Sequence, residues 1–189
     1  MAGHRNEVHP NDVDGIRSVV TVDEHDRPLG TAAVLAAHQH GGRRHRAFSV
    51  FLFDDDGRVL LQRRAESKPL FAGLWANTCC SHQGPGEATE DAALRRVGEE
   101  LGMVAADPIE VGSFEYRAEC TTGLVEHEID HVVMARAITT EVRAEPTEIA
   151  ETRWVTLAEF RSLLADRPEQ FGPWVAPAAE LVFEALIDD

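Results

Sequence analysis

The sequence has few cysteines, few aromatic residues and little positive charge. Its three cysteines, two of them adjacent, cannot form a normal disulfide framework and fit a reducing compartment, so we expect a cytoplasmic protein. With 18 Lys and Arg against 33 Asp and Glu, the net charge of −15 argues against nucleic acid as a partner. No stretch approaches 18 uninterrupted apolar residues and the first 15 residues are polar, which predicts no membrane insertion and no secretion signal.

The chain length predicts one folded unit. A sequence of 189 residues with 43% hydrophobic content is long enough for one full core and short for two domains. Residues 1–15 are rich in His, Asn, Asp and Gly, which predicts a flexible N-terminal segment before a single domain over 16–189. No repeat, tail or linker indicates a larger assembly, so we expect a monomer.

Hydrophobic periodicity predicts strands and helices in irregular alternation. Strands are expected at 16–22, 47–53, 58–62, 111–118, 124–137 and 152–155, and helices at 87–101, 157–165 and 174–187. Turn chemistry at 23–30 and 54–57 predicts hairpin turns, and Gly102 is expected to close the first long helix. The absence of regular βαβ alternation favours an α/β (α+β) fold, with a mixed sheet between helices.

A cysteine and a histidine stand close together before the first long helix. Cys80 precedes His82 by two residues, and other groups that bind metals recur elsewhere in the chain: His38, His45, Glu99, Glu100, Glu126 and Glu128. Alternation places the last two on one face of a strand. Imidazoles with carboxylates make a plausible divalent-metal set, in which Cys80 is either a ligand or the reactive group.

The segment from Ser81 to Met103 resembles the Nudix box. It reads S-x5-E-x7-R-R-V-G-E-E-L-G-M, against G-x5-E-x7-R-E-U-x-E-E-x-G-U, where U is apolar. Ser81 replaces the first glycine, and Arg96 replaces the glutamate that follows the arginine. The loss of that carboxylate weakens a multi-metal site for hydrolysis, so the resemblance implies a Nudix fold that has given up or altered hydrolysis. The alternative is that Glu99 and Glu100 only decorate a solvated helix face.

Further motifs resemble type I isopentenyl-diphosphate isomerase, a family of the Nudix superfamily, over residues 16–185. They are Gly30-Thr31, Ala36-Ala37-His38, His45 to Ser49, Arg63-Arg64-Ala65, Trp75 to His82, Arg95-Arg96, Glu99 to Gly102, Tyr116-Arg117, Glu126-His127-Glu128 and Pro173-Trp174. The resemblance implies that the protein interconverts isopentenyl and dimethylallyl diphosphate. That reaction protonates one face of a carbon-carbon double bond and removes a proton from the other.

The resemblance also implies a role for each matching residue. Cys80 and Glu128 are expected to be the acid/base pair, with Tyr116 hydrogen-bonded to the glutamate and Trp174 against the cationic carbon. A first metal, Mn²⁺ or Zn²⁺, is expected to be held by five residues: His38, His45, His82, Glu126 and Glu128. Arg64, Lys68 and Arg96 are expected to contact the diphosphate. A Mg²⁺ ion is expected at Glu100. A thiol ordinarily titrates near about 8.5, so Cys80 suits this role if its surroundings lower its pKa.

The chain departs from this family at two positions. Val34 stands where the family has a lysine that contacts the diphosphate, and Ser81 stands where it has glycine. Both changes are compatible with a second hypothesis, in which the protonation apparatus acts on a larger isoprenoid and cyclises it. A Nudix diphosphate hydrolase is the third hypothesis.

Overall fold

The structure, a computed structural model, describes residues 18–187, so the predicted flexible segment at 1–15 lies outside the described residues. The nine strands of this part are β1 (Ser18–Val22), β2 (Pro28–Ala33), β3 (His45–Phe53), β4 (Val59–Arg64), β5 (Trp75–Ala76), β6 (Cys79–Ser81), β7 (Ala105–Glu119), β8 (Val125–Ala137) and β9 (Ile149–Val155). The four α-helices are α1 (Val34–His38), α2 (Thr89–Leu101), α3 (Leu157–Asp166) and α4 (Val175–Ala185).

One mixed sheet joins all nine strands, and β3 lies near its centre. β3 pairs in parallel with β8 along its whole length, from His45 opposite Glu128 to Phe53 opposite Arg136. It pairs antiparallel with β6 and touches β1 and β4 at its two ends. β3 therefore holds β6 and β8, which carry most of the predicted site residues, in fixed register.

Apolar side chains fill the space on both faces of the sheet. On one face α2 packs Ala92, Ala93, Val97 and Leu101 against strand residues that include Phe48 and Leu52. On the other face α3 and α4 pack against Phe51, Val59 and Leu61. Successive residues of β3 point to opposite faces, so its near-continuous apolar run serves both cores. The predicted mixed sheet between helices is thus confirmed.

The longer predicted elements are confirmed, and the short ones are new. α2 ends at Gly102, which adopts φ +60° and returns its N–H to Gly98 O as the expected C-cap. The sequence did not predict α1, β5 or β6, because two to five residues are too few to show a period. β2 begins at Pro28, inside the stretch predicted as a turn. Within residues 18–187, no helix is both long and apolar enough to cross a membrane.

Candidate active site

The adjacent cysteines of β6 point to opposite faces of the sheet. Cys79 is fully buried in the core under α2, whereas Cys80 packs with the cluster on the other face and lines a cavity there. Cys80 lies opposite Ser49 of β3, and Glu128 of β8 lies opposite His45 of the same strand. The sheet register thereby brings the two predicted acid/base residues to one region from the two strands that flank β3.

A small cavity of about 20 Å³ lies at this point. Its lining combines acids, a base, aromatic rings and the thiol: Ala47, Phe48, Ser49, Arg64, Leu70, Cys80, Ser81, His82, Tyr116, Glu126, Glu128, Asp130 and Trp174. This volume is close to that of one water molecule. Seven of the predicted site residues therefore meet around a nearly dry space.

Three histidines and one carboxylate converge beside this cavity. The ligand atoms of His38, His45, His82 and Glu128 all lie within 4.8 Å of one another, and all four residues are buried. Glu128 Oε1 is 3.6, 3.2 and 3.1 Å from the Nε2 atoms of His38, His45 and His82. Donor atoms about 2.1 Å from one ion, at right-angle or tetrahedral separations, lie about 3.0–3.4 Å apart. Two of the three Glu128 distances lie in this range, so the cluster could hold a divalent metal.

The hydrogen bonds of the histidines also fit a metal centre. His38 Nδ1 donates to Val34 O at 2.8 Å and His45 Nδ1 donates to Arg43 O at 2.7 Å, because a carbonyl can only accept. The Nε2 atoms of these two histidines are then left with a lone pair for a cation. In metal sites, hydrogen bonds of this kind fix the tautomer of the histidine ligands. His38 Nε2 and His82 Nδ1 are buried without a hydrogen-bond partner in the described part of the chain.

Glu126, the fifth predicted ligand, lies outside this cluster of four. Its Oε2 is 2.8 Å from the hydroxyl of Tyr116, whose oxygen is also 2.5 Å from Glu128 Oε2. Since Tyr116 has one proton for two carboxylates, a second proton must belong to this trio. Burial and the charge of Glu128 raise the pKa of Glu126 to about 8, which assigns that proton to Glu126.

The remaining pKa shifts follow from burial and from this crowding of groups. Burial alone raises the pKa of Glu128, but the imidazole rings of His38, His45 and His82 beside its carboxylate outweigh burial and leave that pKa well below its usual range. Burial lowers the pKa of His82 to about 4. Burial also raises the pKa of Tyr116, and the neighbouring glutamates add to the shift. The carboxyl of Glu128 is thus ionised and the Tyr116 hydroxyl is neutral.

The surroundings of Cys80 do not meet the condition of a lowered pKa. Burial, followed by the charge of Asp130, raises the pKa of the Cys80 thiol instead of lowering it. The sulfur lies 2.8 Å from Asn77 Oδ1 and accepts a hydrogen bond from Trp174 Nε1 at 3.0 Å. Cys80 is therefore a neutral thiol held by two partners.

The three predicted diphosphate ligands are buried, but only Lys68 and Arg96 are in ionic contacts. Arg64 lines the cavity, donates to Leu70 O and places its guanidinium 5.5 Å from the Trp174 ring centroid. Lys68 Nζ is 2.5 Å from Glu148 Oε2. Arg96 donates to Glu100 Oε1 at 2.6 Å, so the predicted Mg²⁺ ligand is neutralised by a cation from its own helix.

The structure adds site residues that the sequence reasoning missed. Asp130 and Ser49 line the cavity and share a 2.7 Å hydrogen bond. Asp130 continues the alternation of Glu126 and Glu128, which was the signal that could have found it. Asn77 carried no such signal, because an amide in a short loop has no characteristic spacing.

The two departures from the family pattern have different surroundings. Ser81 lines the cavity, and its hydroxyl has no hydrogen-bond partner among the residues described. Val34 is fully buried in a separate cluster with Val19 and Ala37 and does not line the cavity. The position of Val34 therefore gives no support to a larger apolar substrate.

Comparison with known proteins agrees with this fold and site. The NUDIX domain matches residues 43–175. Among solved structures, the DR0079 protein of Deinococcus radiodurans superposes with a TM-score of 0.67 at 20% identity, covering 87% of this chain and 98% of its own. A MutT NUDIX hydrolase from Burkholderia pseudomallei superposes with a TM-score of 0.58 at 24% identity, covering 74% of this chain and 98% of its own. The chain is thus a NUDIX-domain protein.

Sequence relatives define the group more narrowly. The chain is 52% identical over 164 residues to the isopentenyl-diphosphate Delta-isomerase of Nocardia farcinica, covering 86% of this chain and 93% of the relative. It is 44% identical to isopentenyl-diphosphate Delta-isomerase 2 of Aromatoleum aromaticum, with 87% and 85% covered, and 47% identical to the isomerase of Streptomyces griseus, with 81% and 77% covered. The chain belongs to the isopentenyl-diphosphate Delta-isomerase family.

Proposed function

We propose that the cavity interconverts isopentenyl diphosphate and dimethylallyl diphosphate, with Cys80 and Glu128 as the acid/base pair. The observation that carries the proposal is the arrival of these two residues in one buried cavity from the two strands that flank β3. The relatives described above are named for this reaction. A thiol and a carboxyl group are both suited to general acid/base chemistry.

The protonation state at rest supplies what the reaction needs. Cys80 holds a proton, Glu128 is ionised, and Glu126 and Tyr116 hold protons beside it. One member of the Cys80 and Glu128 pair adds a proton to the terminal alkene carbon. The electron pair of the double bond forms the new C–H bond and leaves a tertiary cation. The other member removes a proton from the chain carbon next to the cation, and the electron pair of that C–H bond forms the new double bond. Exchange with water between turnovers restores the starting protonation.

The walls of the cavity suit a short-lived cation. Trp174 and Tyr116 have ring centroids 6.3 Å apart, and aromatic faces attract positive charge. A cavity with space for about one water molecule protects a carbocation from capture. A five-carbon chain is larger than this space, so substrate binding requires the cavity to widen.

We propose that His38, His45, His82 and Glu128, with Glu126 as a fifth ligand, hold Mn²⁺ or Zn²⁺. The converging donor atoms support such an ion, which when bound supplies positive charge that makes a carboxylic proton beside it more acidic. For the diphosphate we propose contacts from Arg64, Lys68 and Arg96, with Mg²⁺ at Glu100. Binding would exchange the present carboxylate partners of Lys68 and Arg96 for phosphate oxygens.

The other hypotheses have less support. A hydrolase needs free carboxylates in the Nudix helix, whereas Arg96 is paired with Glu100 at 2.6 Å. The cyclase hypothesis depended in part on Val34, which packs away from the cavity, and no other contact within residues 18–187 favours a larger substrate. A cytoplasmic location and a monomeric state stay predictions from the sequence.

Single substitutions of the acid/base pair test the proposal. Cys80→Ala and Glu128→Gln should each lower the turnover of isopentenyl diphosphate by about 10²–10⁴-fold, the usual contribution of one acid or base. Cys120→Ala is the matched control, since this buried cysteine lies outside the cavity lining. Turnover by Cys80→Ala within a few-fold of the unmodified protein would contradict the assignment.

A further inference from the structure

We infer that Asn77 is a positioning residue for the reaction: one carbonyl oxygen fixes both the direction of the Cys80 S–H bond and the plane of the Trp174 ring. This inference rests on the proposed role of Cys80. Asn77 is fully buried in the loop between β5 and β6. Its Oδ1 lies 2.8 Å from Cys80 Sγ and 3.1 Å from Trp174 Nε1, although Trp174 is 97 residues away along the chain.

The orientation of the Asn77 amide follows from its other contacts. Its Nδ2 is 3.0 Å from Val50 O and 3.0 Å from Cys79 O, and backbone carbonyls can only accept hydrogen bonds. The NH₂ group must therefore face these two carbonyls, which turns Oδ1 toward the thiol and the indole. All four hydrogen-bonding positions of the amide are used. A flipped amide would set its oxygen against two carbonyl oxygens and its NH₂ against the indole N–H.

The amide in turn determines what Cys80 presents to the cavity. Oδ1 is an acceptor, so the thiol proton points at Asn77, while the sulfur accepts the indole N–H at 3.0 Å. Ser49 does not compete for the thiol proton, because its oxygen lies 4.0 Å from the sulfur, whereas Asn77 Oδ1 lies 2.8 Å from it. The thiol proton is thus held by the Asn77 oxygen and not left free to rotate, at a cysteine whose side chain lines the cavity.

An infrared measurement tests this arrangement without using activity. The S–H stretch of Cys80 is isolated as the difference between the unmodified protein and Cys80→Ala, and a donated S–H bond absorbs at lower wavenumber than a free thiol. In Asn77→Ala, measured against the double variant with Cys80→Ala, the band should move to the free-thiol position. Turnover number should fall about 10²-fold, the usual effect of a misplacement of about 1 Å, while KM for isopentenyl diphosphate stays within about threefold.

Thr78→Val is the matched control. Thr78 is the next residue and is equally buried, but its hydroxyl donates to Leu60 O at 2.6 Å and accepts from Leu52 N at 2.9 Å, outside the cavity. Thr78→Val should lower the melting temperature and leave both the Cys80 band and the turnover number unchanged. A merely structural role for Asn77 would give Asn77→Ala the same result.

The possible failures are distinguishable. If Asn77→Ala does not fold, the band of the unmodified protein decides: a donated S–H supports the inference, and a free-thiol frequency overturns it. An unshifted band or an unchanged turnover number in folded Asn77→Ala also overturns it, while the proposed function stands. Full turnover by Cys80→Ala would instead refute the proposed function, and the inference with it.

Discussion

The Trp174 ring lies so close to residue 172 that only glycine fits there, and Gly172→Ala should therefore impair catalysis. A Cβ atom at residue 172 would lie 2.6, 2.7 and 2.8 Å from three carbons of that ring. The backbone there cannot retreat easily, because Gly172 N donates to Trp75 O at 2.9 Å and Gly172 O accepts from Val175 N at 3.0 Å. Carbon atoms pack at about 3.5–4.0 Å, so the ring must move by about 1 Å.

A shift of that size should separate Trp174 from its polar partners. Its Nε1 lies 3.1 Å from Asn77 Oδ1 and 3.0 Å from Cys80 Sγ, and about 1 Å more would exceed hydrogen-bonding distance to the oxygen. We expect the turnover number of Gly172→Ala to fall about 10²-fold. Overpacking should also cost about 1–3 kcal/mol of stability. KM should change less than the turnover number, because two of the three predicted diphosphate ligands, Lys68 and Arg96, lie outside the cavity lining.

Gly57→Ala separates the loss of stability from the loss of activity. Gly57 lies in the turn between β3 and β4 at φ +72°, with no atom within 4 Å of an added Cβ. The left-handed backbone alone should cost about 1 kcal/mol and leave turnover unchanged. Steady-state kinetics and thermal melts of both variants provide the comparison. Unchanged turnover by folded Gly172→Ala would refute the reasoning.

Three further predictions follow from the charged groups. Adding Zn²⁺ or Mn²⁺ to the metal-free protein at about 1,000-fold above Kd should increase its stability by about 4 kcal/mol, measured by thermal melting. His45→Ala should abolish this gain. His127→Ala should keep it, because His127 lies outside the cluster. The pKa of Glu126 is raised to about 8, so protonated Glu126 stabilises the folded, metal-free protein fully below its ordinary pKa of 4.5. This stabilisation should be lost as the pH rises to 8. Denaturant titrations of Glu126→Gln should lack this decline. Lys68→Met should raise KM about 10- to 100-fold if it removes a charged hydrogen bond to the diphosphate, whereas Arg136→Met, on a 51% exposed side chain, should not.

The sequence predicted most of the fold where a period extends over many residues. α2 was readable from its apolar spacing and from Gly102 at its end, and β8 from its length and alternation. β6 was not readable, since three residues that serve two faces look like part of a loop. Its position depends on pairing with β3, a long-range contact that no local pattern encodes.

The candidate site was also predicted only in part, where residue types and motifs were informative. Residue types indicated a metal set of histidines and carboxylates, the family resemblance implied five particular ligands, and the structure brings four of these five together. The role of Asn77 arises only when Trp174 arrives from a remote segment. The raised pKa of Cys80 could not be predicted either, because burial and the nearby Asp130 are consequences of packing.

Isopentenyl diphosphate turnover in deuterated water tests the central claim most directly. The purified protein, supplied with Mg²⁺ and Mn²⁺, should form dimethylallyl diphosphate that carries deuterium in the methyl group made by protonation, and Cys80→Ala should not. Proton NMR and mass spectrometry follow the label, and a phosphate assay runs alongside. Release of phosphate or pyrophosphate without labelled product, or recovery of unlabelled substrate, would contradict the account.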